Sequence, residues 1–157
     1  MEILPYIGLG DYLFSDDFKT IELKLKNIDF EIGERIFMDS RNKTIFIEKY
    51  GLLITFKEDN YSVDCFEITE PIVTYKGISI LHNDFEFLKK LLVNEGNQLI
   101  ENIDGFRSDK VGIGVYCDLK KGELTKRPTS IIIYSKGHYD EKIDLDDIIK
   151  YYLNDRK

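Results

Sequence analysis

Tryptophan is absent from this 157-residue chain, and proline (three), cysteine (two), methionine (two) and histidine (two) are scarce. Each shortage excludes something. Two cysteines, Cys65 and Cys117, cannot build a disulfide framework in a chain of this length, so the fold is expected to rest on a hydrophobic core. With so little proline and no low-complexity tract there is no linker, and one domain spanning 1–157 is expected. No apolar run approaches the ~20 residues that a membrane-crossing helix needs. The opening Met1-Glu2-Ile3-Leu4-Pro5 lacks the cationic and long apolar regions of a secretory signal, so the expected location is the cytoplasm. Positive charge is also in deficit, with 22 Lys and Arg against 29 Asp and Glu and a formal net charge of −7. That balance argues against nucleic acid as a partner. The local basic stretch Lys120, Lys121, Lys126 and Arg127 reads as a solvated loop between strands.

What the chain does have is apolar and aromatic mass. Hydrophobic residues make up 43%, with ten Tyr and ten Phe. A chain of this size buries roughly 70% of its unfolded surface, so no covalent staple is required.

The hydrophobic pattern predicts an α+β fold, mainly an antiparallel sheet with two or three helices packed on one face. Residues 1–30 carry a mixed signal. Phe14, Phe18, Ile21, Leu25 and Ile28 recur at helical spacing behind the capping residues Ser15, Asp16 and Asp17, although Ile21, Leu23 and Leu25 also alternate with polar neighbours. Helix is the preferred assignment. From Glu31 to Thr74 the pattern is that of strands, including Ile45 to Glu48, Leu52 to Phe56 and Ser62 to Thr69, and Ile78 to Leu81 closes the set. A helix follows, with Asn83 as N-cap and Glu86 completing a capping box. Phe85, Leu88 and Leu92 form its apolar stripe, Phe87 and Leu91 widen it, and Gly96 ends it. Val111, Ile113, Val115 and Cys117 share one face of a strand, and Ser130 to Tyr134 is another. A last helix is predicted from Asp144, with Leu145, Ile148, Ile149, Tyr152 and Leu153 as its stripe.

Two stretches resemble each other. Lys49-Tyr50-Gly51-Leu52-Leu53-Ile54-Thr55 parallels Lys110-Val111-Gly112-Ile113-Gly114-Val115-Tyr116. Downstream, Lys76-Gly77 before one helix parallels Lys136-Gly137 before the other. Two pseudo-repeated βββα units, about 43–96 and 104–155, would account for this spacing.

Candidate chemistry is sparse. Zinc requires about four converging N, S or O ligands, and the linear spacing of His82, His138, Cys65 and Cys117 matches no such pattern, so neither metal nor cofactor is expected. Cys117 with His138 is a conceivable nucleophile and base, but Cys117 falls on the apolar face of its strand and Cys65 has a similar setting, which suits inert buried thiols. Gly8-Leu9-Gly10 is too short to cradle phosphate, and Gly112 with Gly114 inside a strand marks a bulge or a close backbone approach. No catalytic residue emerges. The acidic groups Asp16 and Asp17, Glu58 and Asp59, and Asp140, Glu141, Asp144, Asp146 and Asp147 remain. Asp144 is expected to cap a helix and Asp146 to pair with Lys150. An acidic surface otherwise suits a basic partner, because complementary charge speeds encounter and fixes specificity.

Tyr50-Gly51-Leu52-Leu53-Ile54-Thr55-Phe56, Tyr75-Lys76-Gly77-Ile78-Ser79, Asp104-Gly105-Phe106 with Gly112-Ile113, and Tyr134 through Asp140 together resemble small bacterial α+β proteins encoded beside polymorphic toxins. These include the immunity proteins of contact-dependent growth inhibition systems. The resemblance spans roughly residues 45–140. It implies tight binding of a cognate toxin domain, a basic nuclease-like one given the acidic charge, without catalysis or cofactor. The expected contacts are Tyr139, Asp140, Glu141, Asp147 and Tyr151, since tyrosine serves well as an interface anchor. Addition of a partner strand to an exposed sheet edge is the other expected mode. The rival expectations are a small enzyme using His82 or His138 with nearby acids, and a scaffold or regulatory domain. The partner's identity and the oligomeric state are not written in the residues.

Overall fold

The computed structural model describes residues 1–37 and 40–139. The mixed signal of the first thirty residues resolves into both kinds of structure. Three two-residue strands, β1 (Ile3–Leu4), β2 (Gly8–Leu9) and β3 (Tyr12–Leu13), form a small antiparallel sheet, and a short helix α1 (Phe18–Lys24) follows. Asp17 caps α1, accepting from the Thr20 amide at 2.8 Å. Asp16 is 8% exposed and pairs with Lys24 at 2.5 Å. Both acids of this cluster therefore hold the fold together locally.

The remaining strands are β4 (Glu31–Phe37), β5 (Ser40–Ile47), β6 (Leu52–Phe56), β7 (Val63–Ile68), β8 (Thr74–Tyr75), β9 (Ile78–Ser79), β10 (Ile100–Glu101), β11 (Gly105–Ser108), β12 (Ile113–Tyr116), β13 (Leu119–Lys120), β14 (Glu123–Leu124) and β15 (Ser130–Tyr134). Eight of them make one antiparallel sheet in the order β10-β11-β12-β15-β7-β6-β5-β4. Ile78 to Leu81 does not join it. Only Ile78 and Ser79 are extended, and they close a hairpin on Thr74 and Tyr75. The basic stretch lies largely in and beside the exposed β13–β14 hairpin, as expected of a solvated loop.

Register explains the core. Ile45 faces Ile54, Ile54 faces Phe66, Phe66 faces Ile133, and Ile133 faces Ile113, so their side chains share one side of the sheet. All five are at most 1% exposed. Each contributes roughly 1.5–3 kcal/mol by leaving water. The second helix, α2 (Phe85–Asn94), covers this face through Phe85, Leu88 and Leu92, with the Phe85 ring 5.0 Å from Phe106. Phe18 of α1 meets Phe56 at the same centroid distance, 5.0 Å. The architecture is thus α+β, mainly antiparallel, with two helices among the described residues.

The start of α2 differs from the predicted capping box. Asn83 spends its amide on the Ser79 carbonyl at 2.6 Å, which holds it in the preceding turn. Asp84, with extended φ/ψ, becomes the N-cap, and its side chain makes no capping hydrogen bond. Phe87, expected to widen the stripe, is 46% exposed. The helix predicted from Asp144 lies outside the described residues.

Candidate functional site

The sheet's other face carries a cleft that starts from an irregularity in β7. Thr55 of β6 faces Cys65, yet the next residue, Phe56, faces Val63. Asp64 has no counterpart. This is a β-bulge, and an extra residue in one strand re-aims the side chains on either side of it. In a regular strand Asp64 and Cys65 would point to opposite faces. Here both line one cleft of about 430 Å³, together with Thr55, Asn42, Arg35, Ile36 and His138.

His138 reaches the bulge by a tight turn after β15. The His138 amide donates to the Ser135 carbonyl at 3.2 Å, and Gly137 occupies the third turn position with φ +87°. That backbone conformation suits glycine, which has no Cβ to clash. Ser135 is fastened to the bulge twice, by its amide to the Asp64 carbonyl at 2.8 Å and by its hydroxyl to Asp64 Oδ1 at 3.1 Å. The turn then places His138 Nδ1 2.7 Å from Asp64 Oδ2. A carboxylate only accepts, so Nδ1 carries the proton of this hydrogen bond.

Cys65 lies beside this pair. Its thiol and single donor atoms of Asp64 and His138 are all within 4.8 Å of one another. Burial, then repulsion from Asp64 and Glu67, pushes the thiol up to about 12. At neutral pH only about one molecule in 10⁵ then carries the thiolate, which makes Cys65 a poor resting nucleophile. Cys117 is the buried thiol that its strand position suggested, and it does not pair with His138. Cys117 belongs to the hydrophobic core on the opposite face, and Cys65 is the thiol that His138 approaches.

Two further residues define the cleft. Thr55 is 4% exposed, and its hydroxyl has no hydrogen-bond partner among the described residues. The Cys65 thiol is near enough for Thr55 to lower its pKa slightly against the larger effect of burial, but distance and angle do not make a hydrogen bond. A buried hydroxyl left unpaired costs free energy and calls for an explanation. Arg35 of β4 reaches across to Glu67 of β7 in a two-pronged ion pair, one arm at 3.1 Å. Two strands intervene between β4 and β7, so the β4–β5 hairpin curls over this face.

Next to the cleft the Tyr134 hydroxyl donates to Asp109 Oδ1 at 2.7 Å, and Arg107 Nε donates to the same oxygen at 3.0 Å. Arg107 also stacks 4.1 Å from the Tyr139 ring, which meets Tyr134 edge-on at 4.8 Å. Burial raises the pKa of both tyrosines, with help from Asp109 at Tyr134 and from Tyr116 at Tyr139.

Of the predicted contact residues, Tyr139 is 39% exposed and packs against Arg107, Tyr134 and His138. Asp140, Glu141, Asp147 and Tyr151 lie outside the described residues. His82 is exposed, with Ser79 Oγ 3.1 Å from its Nδ1. Glu58 and Asp59 are exposed in the turn between β6 and β7, where Asp59 Oδ1 accepts from the Asn60 amide at 2.8 Å. A larger cleft of about 640 Å³ involves Met1, Tyr12, Lys24, Tyr50 and Ile72, but gathers no set of metal-ligating side chains among the described residues.

Among the described residues the sheet ends at β4. No described strand pairs with the outer side of β4, a seven-residue strand whose residues 31–36 are all exposed. Ile32 and Ile36 are 58% and 59% exposed, with Gly33, Glu34 and Arg35 between them and Glu31 before them.

No family model matches the chain, and no curated protein does. Among solved structures it is similar to the uncharacterized protein yfeY from Escherichia coli, with a TM-score of 0.58, 9% identity, and coverage of 84% of this chain and 99% of that one. At that identity the likeness shows a shared fold alone. No helix among the described residues is long and apolar enough to cross a membrane.

Proposed function

We propose that this chain is a protein-binding module of the immunity type, which neutralises a cognate bacterial toxin domain by occupying it. The observation that carries the reading is the β4 edge, which no other strand pairs with among the described residues. An unpaired strand with protruding isoleucines invites another strand, and proteins that do not use such an edge usually shield it with lysine, proline or a covering element. Here Glu34 lies between Ile32 and Ile36 on the same side of the strand, so the edge suits an extended segment that offers a basic residue flanked by apolar ones on that side. The net charge of −7 supports a basic toxin domain as the partner. On this reading the protein acts in the cytoplasm as a single domain, and Tyr139 adds an aromatic anchor beside the acidic residues that follow it.

The finer reading of two βββα units belongs to the same proposal. The strand runs β5-β6-β7 and β11-β12-β15 meet through β7 and β15 at the middle of the sheet. The Gly51 and Gly112 carbonyls each accept at 3.0 Å, from the Thr69 and Tyr134 amides.

The test is a tagged pull-down from the native cell, washed at low and then moderate salt and read by mass spectrometry. One stoichiometric basic partner that weakens as salt rises is the expected result. A protein that emerges alone at both salts refutes the proposal.

A further inference from the structure

The cleft at the Asp64 bulge gathers chemistry that strand addition does not use. An oxygen, a sulfur and a nitrogen donor from Asp64, Cys65 and His138 converge to within 4.8 Å of one another. Donors around a tetrahedral zinc ion, with bonds of ~2.0–2.3 Å, lie about 3.3–3.7 Å apart. The set is therefore about an ångström from closure, within reach of side-chain rotation. His138 stands on a turn rather than in the sheet, so its ring can make that adjustment without disturbing the β-ladder. The Thr55 hydroxyl is a second and independent sign. It is buried, unpartnered and in the lining of the same cleft, so an oxygen brought in by a bound species would satisfy it.

We propose that this cleft is a binding site for one borderline transition-metal dication of the zinc type, held by Asp64, Cys65 and His138. The donor set selects the cation. Thiolate and imidazole favour zinc-like metals over magnesium or calcium, which prefer all-oxygen shells. The local field points the same way. The Asp64 carboxylate is itself one of the three converging donors and brings negative charge to the site, which favours a cation. Arg35 is the permanent cation in the lining, and Glu67 already holds it in a two-pronged pair. On binding, Nδ1 ligates as the lone-pair nitrogen of a neutral ring whose proton is carried on Nε2, the Asp64 carboxylate ligates through an oxygen, and the thiol proton goes to solvent. No redox change is involved. Three protein ligands leave one tetrahedral position for water or a ligand atom, with Thr55 as its hydrogen-bond partner. Ligand spacing in the linear sequence does not reveal this site, because two of its ligands are adjacent in the chain and the third is 73 positions from Cys65.

Titration of the metal-stripped full chain with zinc chloride, followed by calorimetry, tests the site directly. The expected result is one zinc per chain, unchanged in His82→Gln. Cys65→Ser, Asp64→Asn and His138→Gln should each weaken binding by more than the ~10–100-fold typical of an outer-shell partner. Cobalt(II) gives a readout that does not depend on affinity. The native chain should show a thiolate-to-cobalt charge-transfer band with four-coordinate d–d absorption, and Cys65→Ser should lose that band. Far-UV circular dichroism on each variant confirms that the sheet is formed. No zinc uptake by the native chain overturns the proposal, as does Cys65→Ser binding zinc as tightly as the native chain.

Discussion

Replacing Cys65 with alanine should flatten the protein's loss of stability in alkali. The folded chain holds the Cys65 thiol proton up to about 12, against 9.0 for a free thiol. The folded state is the one that keeps the proton, so the stabilisation is complete below the free value and fades as pH rises toward the folded one. The whole gap corresponds to at most about 4 kcal/mol. A usable window runs from about pH 8 to about pH 10.5. At its upper end the unfolded thiol is about 1.5 pH units past its midpoint while the folded thiol is still protonated, which leaves a Cys65 contribution of about 2 kcal/mol. Burial also raises Tyr12, Tyr75, Tyr134 and Tyr139, so both chains will lose stability in alkali. The difference between them isolates Cys65. Urea unfolding at both pH values, with a chelator present, measures it from the midpoints and slopes. Equal losses in the native chain and Cys65→Ala would refute the buried, carboxylate-flanked thiol described above.

Three other substitutions probe the scaffold. Gly114→Ala places a Cβ 2.6 Å from Ile132 Cγ2 and 3.0 Å from the Tyr116 ring. Chemical denaturation should show a loss of about 1–3 kcal/mol from this overpacking. Phe66→Ala empties a fully buried position against Phe14, whose ring centroid is 5.2 Å away, and should cost about 3–5 kcal/mol in the same assay. His82→Ala removes an exposed side chain whose ring contacts Ser79, and its denaturation midpoint should stay within about 0.5 kcal/mol of the native chain.

The sheet was legible in the sequence because its inward residues recur with period two. Ile45, Ile54, Phe66, Ile113 and Ile133 all appear in runs of β-branched and aromatic residues, and all are buried. The stripe of α2 was equally plain from Phe85, Leu88 and Leu92. Residues 1–30 were harder, since two-residue strands such as Ile3–Leu4 and Gly8–Leu9 are too short to show a period. The cap of α2 was misplaced by one residue because a tertiary choice, the Asn83 amide bonding Ser79, overrode a local motif. The cleft was hidden for a different reason. A bulge follows from how β7 pairs with β6, and Val63-Asp64-Cys65 looks like ordinary alternation until that pairing is known. The available hint was Tyr134-Ser135-Lys136-Gly137-His138, a strand followed by a glycine turn that returns a histidine to the sheet.

The central claim, that the β4 edge receives a protein partner, is tested most directly by comparing captures from native cells. Native chain and an Ile32→Lys/Ile36→Lys double variant serve as baits, washed and quantified side by side. Both positions are more than half exposed, so the fold should survive, and lysine on an edge strand opposes pairing with another strand. The account predicts that the variant, with an unchanged circular dichroism spectrum, loses the partner that the native chain retains. Equal capture by both baits would contradict it.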